Sequence, residues 1–120
     1  MATRTTIYIL SEDKEGIHQQ VKVCKHWDGE IEAMFLAWLR DFNRDFSAKR
    51  GDDPQCKMAQ LLRSSDKYAR KYGIDDSHHT GWSIVPINHD CGAEWEYHLN
   101  VDGSVTEQNL LYNEYFEDND

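Results

Sequence analysis

Residues 31–46, IEAMFLAWLRDFNRDF, place apolar side chains at Ile31, Met34, Phe35, Trp38, Leu39, Phe42 and Phe46. Steps of three and four residues put all seven on one face of an α-helix, which must be buried against something else. Asp28 is positioned to cap the start, with Glu30 and Glu32 in the first turn where the helix dipole favours negative charge. After the loop SAKRGDDPQ, a second helix is expected with Asp53 as its cap and Pro54 as its first residue. It should bury Met58, Leu61, Leu62, Tyr68, Ala69 and Tyr72 and stop at Gly73.

Strand patterns flank this helical pair. Residues 3–10, TRTTIYIL, are rich in β-branched side chains and set Ile7 and Ile9 against Thr6, Tyr8 and Leu10. Residues 17–27, IHQQVKVCKHW, alternate Val21 and Val23 with Lys22 and Cys24, and SEDKEG turns the first strand into this second one as a hairpin. Downstream, strands are expected at 82–85, 94–101 and 104–108, separated by the reversal sequences NHDCG and Asp102-Gly103. The order ββααβββ predicts an α+β fold: an antiparallel sheet of about five strands with two helices packed on one face. Residues 1–120 read as a single domain, with an acidic C-terminal tail from about residue 113.

Composition narrows the function classes. The chain of 120 residues is 39% hydrophobic and 29% charged, with seven Gly and two Pro, which suits a packed fold and not a disordered one. No apolar run reaches the length of a membrane span, and the first residues lack a secretory pattern, so a soluble cytoplasmic protein is expected. Three cysteines, an odd number, then read as reduced thiols. All 13 Lys and Arg lie in residues 1–71 beside 11 acids; residues 72–120 hold the other 11 acids and no Lys or Arg. General nucleic-acid binding, which needs cations to neutralise phosphates, is not expected.

Three groups of residues are candidates for chemistry. The first is Lys25-His26-Trp27-Asp28-Gly29, at a strand-to-helix junction where free backbone N–H groups attract anions. The plainer account of the same residues is a core tryptophan, a helix cap and a turn glycine. Aromatic faces at Trp27, Trp82, Trp95 and Tyr97 could stack on a nucleotide base, with charge supplied by Lys25, Arg63, Lys67 and Arg70. Arg63, Lys67, Arg70 and Lys71 share one helical stripe, which also suits a solvated face. The second group is Cys24, His26, His78, His79, His89 and Cys91, whose spacing lacks a zinc signature, so no metal and no cofactor is expected. Histidine-based phosphodiester cleavage has no motif to support it, and no catalytic residue is assigned. The third is the acidic C-terminal half, where Tyr112, Tyr115 and Phe116 could anchor a basic partner.

The run V-x-V-C-K-H-W-D-G, followed by an amphipathic helix, resembles a group of small phage and bacterial proteins with a Tyr-Arg-His-Trp-Asp-Gly-Tyr-like motif. Residues 23–29 carry the resemblance best; GWSIVP at 81–86 and EWEYHLNVDG at 94–103 fit the same layout. Glu30 stands where that group usually has an aromatic residue, and no proline follows it. Proteins of this kind include anti-defence proteins, among them Thoeris anti-defence sponges. The resemblance implies a noncatalytic homo-oligomer that sequesters a small cyclic nucleotide-derived immune signal. The alternative is an acidic inhibitor or nucleic-acid mimic that blocks a basic groove of a host protein.

Overall fold

The structure is a computed structural model, and it describes residues 3–27, 32–72 and 82–110; side chains at 3, 26–27, 32–34 and 66–72 are likewise outside the description. Two long strands open the chain, β1 (Thr3–Asp13) and β2 (Gly16–Trp27). Two 19-residue helices follow, α1 (Glu32–Arg50) and α2 (Pro54–Tyr72), and then β3 (Trp82–Val85), β4 (Trp95–Leu99) and β5 (Val105–Asn109). The element order is the expected ββααβββ. The cap at Asp28, the core position Ile31, the stop at Gly73 and the acidic tail fall outside the described residues.

Local chemistry explains the boundaries. At the start of α2 the Asp53 carboxylate accepts from the Cys56 N–H at 3.3 Å, and Pro54 occupies the first helical position, where its missing N–H costs nothing. Gly51, with φ 66°, closes α1 and donates its N–H to the Ser47 carbonyl. The short α1–α2 link is pinned to the tip of β1, where Asp52 accepts from the Ser11 hydroxyl and the Glu12 N–H. At the β4–β5 turn, Gly103 has φ 95°, and a Cβ there would sit 3.3 Å from the Arg44 Cα. Glycine is needed both for the turn and for the close approach of α1.

The sheet order is β3-β2-β1-β4-β5. Its β1–β2, β2–β3 and β4–β5 pairs are antiparallel, but β1 and β4 run parallel, with Ile7 opposite Tyr97 and Ile9 opposite Leu99. The expected purely antiparallel sheet is therefore corrected to a mixed one. NHDCG does turn, with Asp90 accepting from the Gly92 N–H at 2.8 Å. It turns within a crossover, however, because parallel strands cannot be joined by a tight hairpin. Residues 86–94 carry the chain from β3 at one edge, across β2 and β1, to β4.

One face of the sheet holds the core. Ile7, Ile9, Val23, Tyr97 and Leu99 are buried there against Phe35, Leu36 and Leu39 of α1 and Met58 and Leu61 of α2. Strand alternation sends Lys22 and Cys24 to the opposite face, where the crossover strap is fastened. Lys22 Nζ donates to the carbonyls of Ile87 and His89, and the Glu94 N–H donates to the Arg4 carbonyl at 3.0 Å. Cys24 and Cys91 form a disulfide with a Cα–Cα distance of 5.6 Å. Reduced thiols were expected from the odd cysteine number; in fact Cys56 alone is free and the other two pair across the strap. Beneath the strap Thr6, Tyr8 and Lys22 are buried, while Ser83, Thr106 and Gln108 on the same face are exposed.

Candidate functional site

Five strand ends meet where β1 begins, β2 finishes, β3 and β4 begin and β5 finishes. Their registers align one row across the helix-covered face: Trp82, Lys25, Thr5, Trp95 and Asn109. The next row inward is Ile84, Val23, Ile7, Tyr97 and Glu107. Lys25 thus continues the alternation of Val21 and Val23 and points the same way as the core.

The Lys25 side chain has no solvent exposure. Its Nζ lies 5.3 Å from the centre of the Phe35 ring and 5.4 Å from that of Trp82. Phe35 in turn contacts Trp38, Trp82 and Tyr97 at centroid distances of 5.4, 6.4 and 5.8 Å, and Trp38 meets Trp82 edge to face at 6.1 Å. Trp95 lies parallel to Tyr97 within 7°, with centroids 6.5 Å apart, and its carbonyl accepts from the Thr5 hydroxyl at 3.0 Å. Trp38, Trp82 and Trp95 are half-buried, each keeping part of its surface open.

Each cation–π contact of this kind contributes about 0.5–2 kcal/mol, more where water is excluded. Lys25 places a basic group in a dry, aromatic setting, where attraction to an anion is screened far less than at a surface.

Of the sequence-derived candidates, Lys25, Trp82, Trp95 and Tyr97 come together on these two rows. Tyr97 is wholly buried and belongs to the core. His26 and Trp27 are the last two residues of β2 by backbone, and Asp28 lies outside the described residues. Lys67 and Arg70 are on α2 by backbone alone. Arg63 does not join the Lys25 group: it is exposed and lines a groove between α1 and α2 with Phe42, Phe46, Lys49 and Arg50.

Sequence reasoning missed Phe35 and Trp38 as site residues, reading them only as core. The signal was available, because Lys25 keeps the period-two phase of Val21 and Val23 and so has to meet the helix that covers them. A second buried lysine was also missed. Lys57 is 1% exposed and donates to the Asn43 Oδ1 at 2.7 Å and to the Ser47 hydroxyl at 3.3 Å, with the Phe46 ring 5.6 Å away. Asn43, itself fully buried, donates to the carbonyls of Asn100 and Ser104 at 3.0 and 2.8 Å, tying both helices to the β4–β5 turn. Burial holds the Lys57 ammonium below the usual lysine range, and the Asp52 charge offsets part of that.

The zinc alternative loses two of its donors, since Cys24 and Cys91 are bonded to each other. His78 and His79 lie outside the described residues. On the strap-covered face, His98 sits 2.7 Å from the Glu96 carboxylate and edge-on to Tyr8, ring centroids 5.1 Å apart. No helix among the described residues is long and apolar enough to cross a membrane. No protein-family model, curated protein or solved structure matches this chain.

Proposed function

We propose that this protein captures a small nucleotide-derived anion without cleaving it, at the end of the sheet around Lys25, in the manner of an anti-defence sponge. The observation that carries the reading is the Lys25 ammonium, fully withdrawn from water between Phe35 and Trp82 and flanked by three half-open tryptophans. A nucleotide needs flat apolar faces for its base and a positive charge for its phosphate, and this end of the sheet offers both within one row of residues. The ligand's base stacks on Trp82 or Trp95, and Lys25 balances a phosphate that displaces the covering ring.

A homo-oligomer is part of the same proposal. β3 is an edge strand of four residues whose outer backbone groups have no strand partner among the described residues, and Ile84 and Ile87 are 62% and 40% exposed. An edge of that kind is a template for pairing with a second copy.

Native mass spectrometry of the purified protein with cyclic mono-, di- and trinucleotides and cyclic ADP-ribose isomers, followed by denaturation, tests the whole reading. An intact nucleotide recovered at a fixed ratio per subunit is expected, with at least tenfold weaker retention in Lys25→Met. A cleaved ligand would overturn the noncatalytic assignment, and no retained nucleotide in the panel would overturn the site.

A further inference from the structure

The β1–β2 hairpin projects beyond the rest of the sheet as a two-stranded arm. β4 pairs with β1 only through residues 5–9, and β3 pairs with β2 only through residues 22–25. Past those points Leu10, Ser11, Glu12 and Asp13 pair with Gln19, His18, Ile17 and Gly16 and with no third strand among the described residues. Four such pairs extend about 13 Å. The Ser11 hydroxyl and the Glu12 N–H donate to Asp52 in the α1–α2 link at 3.0 and 2.8 Å, so Ser11 faces the chain's own helices. Strand alternation turns Glu12 the other way, and Ile17, its partner in register, shares that outer face. Ile17 is 57% exposed, an apolar side chain held out near the end of the arm. Around it the tip carries three acids, Glu12, Asp13 and Glu15, against one base, Lys14, all of them exposed. Asp13 is engaged by His18 at 3.0 Å, whereas Glu12 and Glu15 have no ion-pair partner among the described residues.

The groove between α1 and α2 has the opposite charge. Its volume is about 660 Å³, more than a single side chain occupies. Phe42 and Phe46 form one wall, with ring centroids 6.0 Å apart and planes within 25°. Lys49, Arg50 and Arg63 surround it. All three are exposed, and none has an ion-pair partner among the described residues. Asp45, the acid in its lining, is already engaged by Arg44 at 3.2 Å.

We propose that the β1–β2 arm of one copy seats in the α1–α2 groove of a second copy, with Ile17 against the Phe42–Phe46 wall and Glu12 and Glu15 against Lys49, Arg50 and Arg63. The two patches match in kind: an exposed apolar side chain ringed by uncommitted acids, and an aromatic wall ringed by uncommitted bases. With Asp52 holding Ser11, the outer face of the arm points away from its own helices, so the arm cannot fill its own groove. Arm-to-arm and groove-to-groove pairings would each oppose like charges, which leaves arm against groove as the favoured contact. The contact uses neither the Lys25 site nor the β3 edge and does not rest on the nucleotide reading.

The test mixes two forms of the full chain: an unlabelled one carrying the photo-crosslinker in Ile17→benzoylphenylalanine, and a heavy-isotope-labelled one without it. After irradiation and digestion, the expected product joins the unlabelled arm to a labelled peptide holding Phe42, Phe46 or Arg63. Its yield should fall at least tenfold when the labelled chain carries Lys49→Glu/Arg63→Glu, and return when the crosslinker chain also carries Glu12→Arg/Glu15→Arg. All four charges are exposed, and backbone amide spectra report that each variant keeps its fold. Cross-links confined to chains of one isotope overturn the proposal. So do cross-links between isotopes that land on β3 and not in the groove, which would leave the edge-strand pairing standing by itself. A groove cross-link indifferent to charge reversal, or not restored by the double reversal in folded protein, overturns it as well.

Discussion

Replacing Asn43 by alanine should be among the most damaging single substitutions in this protein. Its side chain is fully buried and makes three hydrogen bonds: two donated to the carbonyls of Asn100 and Ser104, and one accepted from the Lys57 ammonium. Neutral bonds of this kind contribute about 0.5–1.5 kcal/mol each, and one to a charged group about 1.5–3. Alanine would also leave the ammonium buried with the Ser47 hydroxyl at 3.3 Å as its remaining side-chain acceptor. We expect Asn43→Ala to cost about 3–5 kcal/mol, a third or more of the stability of an ordinary small domain. Urea denaturation followed by tryptophan fluorescence measures this. A double-mutant cycle then isolates the cause. In a Lys57→Met background no charge is left stranded, so the cost of Asn43→Ala should fall by about 1.5–3 kcal/mol. A single-mutant cost below about 1 kcal/mol, or additivity in the cycle, would refute the network as described.

Lys57 should also leave a signature in alkali. Its folded pKa lies below 10.5, so between that folded value and 10.5 the unfolded chain holds the extra proton, and stability rises with pH across this window. The stability of the protein relative to Lys57→Met should therefore improve as the pH rises above the folded value towards 10.5, and a flat or falling difference in denaturation midpoints would contradict the assignment. Alkylation of the unfolded, unreduced protein should add one adduct, at Cys56, and three after reduction; three at the outset would exclude the Cys24–Cys91 bond. With its cysteines 67 positions apart in sequence, that bond should stabilise the fold by about 4 kcal/mol on chain-entropy grounds, seen as a lower melting temperature in Cys24→Ala/Cys91→Ala. Gly103→Ala, forced to keep φ 95° and to press on Arg44, should lose about 1–2 kcal/mol in thermal melts. An unchanged melt would mean that the turn can move away from α1.

The disulfide bears on where the protein resides. A cytoplasmic location was expected from the lack of an export pattern, yet stable disulfides are uncommon in reducing compartments. Trapping thiols in intact cells before lysis separates the two: three adducts would indicate a reduced form in the cell, and one would indicate an oxidised form.

The sequence by itself determined whatever depends on neighbours a few residues apart. The three- and four-residue steps of Phe35, Leu39 and Phe46, and of Met58 and Leu61, specify the buried helix faces. Asp53-Pro54 specifies where α2 begins, the alternation of Ile7 with Ile9 and of Val21 with Val23 specifies the opening hairpin, and Asp102-Gly103 specifies the closing one. Each is set by backbone geometry and local hydrogen bonding, which the chain carries wherever it goes. The residues that make up the candidate site were mostly legible as types, a lysine and several aromatics, but not as a group. Only tertiary structure decided that β4 pairs in parallel with β1, because the partner lies some 90 residues away and NHDCG turns equally well in a hairpin or a crossover. It also decided that Cys24 meets Cys91, that Lys25 and Lys57 are buried while Arg63 stays in the open, and that Arg63 faces the groove between the helices and not Lys25. Those outcomes depend on which surfaces cover one another once the core has closed. Burial is a property of the packed whole, and no short window of sequence contains it.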